Sequence, residues 1–267
     1  MHSTRLFGCL LLFSKVFTLT FIFYFNLHPF HQMDIPIIRL LAKIEGTRDD
    51  TVKLGRVKTG KHSQDITVRD IRTMRFGEYL NDTIIDVYLR IIAKCHNKLP
   101  QVNKKVYIVN TFFYEAWAKK GYNGVKLWFR KDDIFEYDLV FFPINNESHW
   151  SIVVMDKGRR CFLYYDSLEF TDRKQEEDYA TKYTGYVRQF VNKHAEEKHN
   201  EKDFCEGYIC ISQNSPKQLN SVDCGVFMLR FAKHYCQGDV KNKFKQEEME
   251  DLRIQMSSEI LCGCLFM

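Results

Sequence analysis

Cys224, His149 and Asp166 are residue types that can combine into nucleophilic chemistry. A thiolate is the attacking form of cysteine, an imidazole can take and return its proton, and a carboxylate can hold the imidazole tautomer and stabilise the imidazolium. Cys224 stands at the entry to Gly225–Tyr235, a run apolar nearly all round, as expected of a helix inside a domain. The partial positive charge of a helix N-terminus favours the thiolate. Gly225 would leave the approach to the sulfur unobstructed. Free backbone N–H groups at the helix start, together with the side-chain amide of Gln218, would stabilise an oxyanion. Each residue alone has a plainer reading: a buried cysteine as inert packing, a strand-end His and Asp as partners of local backbone groups.

His149 and Asp166 are linked by strand arithmetic. Leu139–Ile144, His149–Asp156 and Arg160–Asp166 read as three strands. A tight turn at Lys157-Gly158 would set His149 directly opposite Asp166 on one face of the sheet. Thr83–Cys95 carries apolar residues over a broad helical face, with Asp82 or Asn81 as its cap. Phe112–Lys119 reads as a second helix ended by Gly121, 173–199 as a long charged helix, Tyr208–Ser212 as a short strand, and Lys245–Leu261 as a last helix. The pattern is α+β.

The chain has 267 residues, 45% hydrophobic and 27% charged, the composition of a packed globule. A net charge of +5 is too mild to argue for nucleic acid. The charge is uneven, however: between Lys94 and Lys131 nine Lys/Arg face the single acid Glu115, which suits either a solvated surface or a dock for an acidic protein. Nine cysteines at irregular spacing, with no CxxC pair, suggest neither a disulfide framework nor a zinc ribbon. An intracellular, reducing compartment, nucleus or cytoplasm, is expected.

His149-Trp150, Tyr165-Asp166-Ser167, Gln218-x-Asn220-x-x-Asp223-Cys224-Gly225-Val226-Phe227 and Tyr79-Leu80-Asn81-Asp82-Thr83-Ile84-Ile85 resemble the SUMO-specific (sentrin-specific, ubiquitin-like) cysteine protease family. Val125-Lys126-Leu127-Trp128 and Asp133-Ile134-Phe135 agree as well, and the resemblance runs from about Ile66 to Leu261. It implies a papain-like fold of the adenovirus-protease type, with a central mixed sheet, packing helices and a buried helix carrying the nucleophile. It also implies a thiol protease or isopeptidase that cuts after the C-terminal Gly-Gly of SUMO and needs no metal or organic cofactor. By the same resemblance Cys224 is the nucleophile, His149 the general base, Asp166 the orienting acid and Gln218 part of the oxyanion hole. Trp150 would roof a tunnel admitting only Gly-Gly, and Asp82 would pair with an arginine of the modifier, its other reading being the helix cap. Tyr79 stands where many members have Trp. The wording at Gly77–Asp82 and Phe112–Tyr114 is nearest the branch that trims poly-SUMO, whose large insertions are absent here. The same chemistry on NEDD8 or ubiquitin, and a non-catalytic SUMO-binding module, are the other readings.

The expected organisation is a hydrophobic segment at 1–42, a linker at 43–65, the protease domain at 66–261 and a tail at 262–267. Leu6–Leu27 is 22 residues long, enough to span a bilayer. Lys15 within it costs about 2.5–3.5 kcal/mol, which its fourteen Leu, Ile, Val and Phe outweigh. Residues 6–27 therefore suit a membrane anchor, and translation from Met33 is the alternative. The ending Cys264-Leu265-Phe266-Met267 fits a prenylation signal.

Overall fold

The computed structural model describes residues 44, 46–100, 104–238 and 244–266. The candidate anchor at 6–27 lies outside them. Among the described residues no helix is long and apolar enough to cross a membrane.

The first strands among the described residues form an antiparallel hairpin, β1 (Lys53–Thr59) and β2 (His62–Thr67), turning at Gly60 with φ of 64°. Most of the stretch expected to be a linker is thus ordered, because Val57 and Ile66 turn into the core while the polar residues face out. Next come α1 (Val68–Arg72), α2 (Asp82–His96), β3 (Val106–Ile108), α3 (Phe113–Lys120) and α4 (Tyr122–Val125). The sheet continues with β4 (Leu139–Asn146), β5 (His149–Asp156) and β6 (Cys161–Tyr165). The long helix α5 (Arg173–His199), strand β7 (Ile209–Ser212), α6 (Cys224–Gln237) and α7 (Met249–Cys262) complete the fold.

Five strands form one mixed sheet in the order β3-β4-β5-β6-β7, with both outer pairs parallel and the inner two antiparallel. Strands β4 to β6 are apolar almost throughout because helices cover both faces. Phe141, Ile152, Val154, Leu163 and Tyr165 face α2, α6 and α7. Phe142, Val153, Met155, Phe162 and Tyr164 face the other way, onto α3 and α5. There Phe190 of α5 meets Phe113 edge-on, with ring centroids 4.7 Å apart. The nucleophile-bearing helix expected from its all-round apolarity is α6, wedged between β5, α2 and α7. Its Lys233 is buried and neutralised by Glu259 of α7 at 3.0 Å, as a buried charge requires.

Candidate active site

Three chain segments converge on Cys224. The first is the β4–β5 turn. Only Glu147 and Ser148 separate the paired residues Asn146 and His149, and both have positive φ, 51° and 65°. This is a two-residue type I′ turn built without glycine, at about 1–2 kcal/mol per left-handed residue. It sets His149 at the sheet's end and leaves the Ser148 carbonyl 4.0 Å from the Cys224 Sγ.

The second segment is the end of β6. Asp166 lies one residue beyond the strand and is 3% exposed. Its Oδ1 is 2.6 Å from His149 Nε2 and accepts from the Leu168 N–H at 2.9 Å, while Oδ2 accepts from the Tyr164 hydroxyl at 2.5 Å. The pairing differs in detail from the arithmetic. The connection is a four-residue loop, 157–160, pairing Asp156 with Cys161 and Ile152 with Tyr165. The Asp156 carboxylate accepts from the Arg159 N–H at 3.0 Å and Arg160 turns left-handed, with φ of 49°, which widens the expected tight turn. Asp166 therefore sits two positions from the expected register and reaches His149 diagonally. A shift of two keeps the face, so the contact survives.

With Nε2 held by Asp166, the other ring nitrogen is left for the hydrogen bond to Cys224. Burial of the imidazole opposes its protonation, but the hydrogen bonds to Asp166 and then Cys224 outweigh it and raise the His149 pKa to about 9.

The third segment runs from Gln218 into α6. Cys224 is the first residue of the helix and 1% exposed. Asp223 precedes it without making a side-chain cap. Its carboxylate turns away, taking Nε and Nη2 of Arg253 on Oδ1 at 3.0 and 2.6 Å, and Asn220 and Gln246 on Oδ2 at 2.7 and 2.6 Å. The first N–H groups of α6 are left without a side-chain acceptor, which suits them to an oxyanion. Gln218 is nearly buried. Its Oε1 accepts from Ser167 Oγ at 2.6 Å and its Nε2 donates to the Asn220 carbonyl at 2.5 Å, leaving one amide N–H for a substrate.

Gly225 has a packing reason besides the one expected. A Cβ there would lie 3.1 Å from Leu80 Cβ and from Ile85 Cδ1, so the glycine lets α6 approach the start of α2.

Beside the thiol opens a cleft of about 790 Å³ lined by Tyr79, Leu80, Asp82, Phe112, Ser148 and Trp150 among others. Trp150 forms a buried wall rather than a free roof, 5% exposed, its indole N–H donating to the Leu80 carbonyl at 3.2 Å. The exposed aromatics over the cleft are Tyr79 and Phe112, at 47% and 50%. Asn81, not Asp82, caps α2, accepting from the Ile84 N–H at 3.0 Å. Asp82 has no hydrogen-bond or ion-pair partner among the described residues and remains available to a ligand in the cleft.

Ser167 and Arg253 were not singled out from sequence. Ser167 follows Asp166 directly, so its adjacency was visible. Arg253 carries no local signal. Among the described residues no group of His, Cys, Asp and Glu is placed to hold a metal ion, and all eight cysteines are free. Part of the basic run serves the fold: Lys104 pairs with Asp156, Lys119 with Glu115, and Lys94 donates to the Gly263 carbonyl.

The sequence matches the Ulp1 protease family, C-terminal catalytic domain, over residues 78–263. Human sentrin-specific protease 3 is 32% identical over 200 residues, 74% of this chain and 32% of that protein. Human sentrin-specific protease 5 is 32% identical over 213 residues, 79% of this chain and 26% of its own length. The chain thus spans about a third or less of these relatives. Among solved structures, SUMO protease Ulp1 with its catalytic cysteine oxidised to a sulfonic acid is 25% identical, with a TM-score of 0.65 over 84% of this chain and 93% of that one. The C-terminal Ulp1 protease domain in complex with Smt3, the yeast ortholog of SUMO, is 24% identical, with a TM-score of 0.65 over 87% and 95% of the two chains, and shows the same papain-like α+β fold. With the matched domain covering more than half its length, the chain belongs to the Ulp1 protease family.

Proposed function

We propose that the chain is a thiol protease and isopeptidase that cuts after the C-terminal Gly-Gly of SUMO, releasing it from conjugated proteins, from precursors or from chains. The observation that carries this reading is His149 standing between Asp166 and Cys224 at the entry of α6. The named relatives act in the same sense: they are sentrin-specific proteases, and one fold neighbour is bound to a SUMO ortholog.

Cys224 is the nucleophile. Its thiolate, paired with the His149 imidazolium, attacks the carbonyl carbon of the terminal glycine. The oxyanion is met by the first N–H groups of α6 and the remaining amide N–H of Gln218. As the C–N bond breaks, the imidazolium gives its proton to the departing amine, and a thioester remains. Neutral His149 then takes a proton from water, whose oxygen displaces the thiolate and frees the modifier's carboxylate. Asp166 orients the ring throughout. Tyr79, Trp150 and Asp82 hold the modifier's tail in the cleft, where a Gly-Gly end passes beneath aromatics that a larger side chain would strike. A reducing intracellular setting keeps the nucleophile in this form, in keeping with the free cysteines.

The test exposes the full chain, beside Cys224→Ser, to SUMO, NEDD8 and ubiquitin carrying C-terminal electrophiles. Labelling of the SUMO probe alone, lost in the variant, is the expected result. Labelling by another modifier instead reassigns the substrate, and no labelling by any probe defeats the enzyme reading.

A further inference from the structure

Arg253, on the last helix and 1% exposed, is a large cation sealed inside the domain next to the candidate active site. Stripping a guanidinium of water costs several kcal/mol unless its donors are matched, and here all three nitrogens are engaged. Nε and Nη2 reach Asp223 Oδ1 at 3.0 and 2.6 Å. Nη2 also donates to the carbonyls of Glu78 at 2.8 Å and Val222 at 3.2 Å. Nη1 donates to those of Arg75 at 3.0 Å and Thr73 at 3.2 Å.

These acceptors belong to two different walls. Thr73, Arg75 and Glu78 lead directly into Tyr79 and Leu80, the cleft wall, and the Leu80 carbonyl in turn holds Trp150, the neighbour of His149. Val222 and Asp223 lead directly into Cys224. One planar group therefore grips the segment before the substrate cleft and the segment before the nucleophile. Gln246 adds a second strut to the nucleophile wall only, donating to Asp223 Oδ2 at 2.6 Å and accepting from the Leu219 N–H at 2.8 Å.

We propose that Arg253 is a positioning residue that sets the separation of the cleft wall from the thiol, and so the distance between a bound tail's carbonyl carbon and Cys224. It touches no reacting atom and acts through Asp223 and the carbonyls of 73–78. Charge alone does not do this. A lysine would still neutralise Asp223, but its compact ammonium cannot span both walls. Because an error of about 1 Å in attack geometry costs on the order of a hundredfold in rate, the loss falls on turnover by correctly folded molecules.

This inference rests on the protease reading above, and the experiment separates the two. Full-length wild type, Arg253→Lys and Gln246→Leu are titrated with electrophilic SUMO to count competent sites, then assayed on SUMO bearing a C-terminal fluorogenic amide. For Arg253→Lys, kcat per labelled site should fall by about tenfold or more with KM changed less. Gln246→Leu, which loosens one wall, should show a smaller loss of at least about threefold. A merely structural arginine would lower the melting temperature and the labelled fraction while leaving kcat per labelled site within twofold of wild type, and that result overturns the inference. If Arg253→Lys does not fold, an unchanged kcat in Gln246→Leu overturns it and a threefold loss supports it. A wild type that no SUMO probe labels and that cleaves nothing defeats the protease reading itself, and this inference with it.

Discussion

The indole N–H of Trp150 donates to the carbonyl of Leu80 at 3.2 Å, and the Leu80 side chain is the surface against which Gly225 packs. The residue after His149 and the residue after Cys224 are thus linked through one leucine at the start of α2. Base and nucleophile come from a sheet and a helix far apart in sequence, and this bridge holds those elements at a fixed distance.

Gly225→Ala tests that bridge. The added methyl meets Leu80 and Ile85 at 3.1 Å in a core with no slack. A destabilisation of about 1–3 kcal/mol is expected, or several degrees of melting temperature by calorimetry, with slower SUMO-probe labelling because α6 is pushed from the cleft. Unchanged stability would mean that Leu80 moves freely.

Cys224→Ala should abolish turnover, a loss on the order of 10⁴-fold or more in kcat measured on a fluorogenic SUMO amide, while circular dichroism stays native. Asp166→Asn should lower kcat by about 10²–10⁴-fold, because the ring loses the acceptor that holds it and the charge that stabilises its cationic form.

The pH dependence follows from His149. Its folded pKa is raised, to about 9. The protonated ring therefore contributes stability that is fully present below the free-imidazole value of about 6.5 and is lost as pH rises through about 9. The alkaline limb of kcat/KM should fall in the same range, and in Asp166→Asn, if residual activity is measurable, it should move to lower pH. Rate profiles between pH 5 and 10 check this.

Ser167→Ala removes the hydroxyl that fixes the Gln218 amide at 2.6 Å and leaves a nearly buried carbonyl oxygen short of a donor. The amide then turns more freely away from the oxyanion. A kcat loss of about tenfold is expected, smaller than the roughly 10²–10³-fold from Gln218→Ala, with KM little changed. Steady-state kinetics on the fluorogenic SUMO substrate would show it.

Asp82→Asn should raise KM for SUMO about two- to fivefold, the scale of one partly exposed ion pair, with kcat nearly constant. Stability should drop by only about 0.3–1 kcal/mol, since Asp82 also faces the positive end of α2. Equal KM for both proteins would remove Asp82 from the modifier's contacts.

Much of this was legible along the chain. The apolar runs of β4, β5 and β6 and the all-round apolarity of α6 announce layers buried on both faces, because the solvent-transfer energy of a residue is a local property. The order of His149, Asp166 and Cys224, with their positions at strand and helix ends, could be read for the same reason. The hairpin register was less readable. Whether Asp156 accepts from Arg159, and so opens the turn to four residues, depends on where Lys104 and Tyr235 leave the Asp156 carboxylate. The β1–β2 hairpin was hidden because only Val57 and Ile66 in those two polar strands are buried hydrophobics, too few to make a period.

What the sequence by itself determined, then, is the inventory: a thiol at a helix entry, an imidazole and a carboxylate at strand ends, and the apolar faces that must be covered. What only the tertiary structure decided is the fit among them. Gly225 is needed for a close approach to Leu80, Trp150 is a tethered wall, Asn81 rather than Asp82 caps α2, and Arg253 joins two segments, one 30–31 residues away in the chain and the other 175–180. Apart from the local cap from Asn81 to Ile84, each depends on partners distant in the chain, and no local pattern encodes a contact whose energy exists only once the chain has closed.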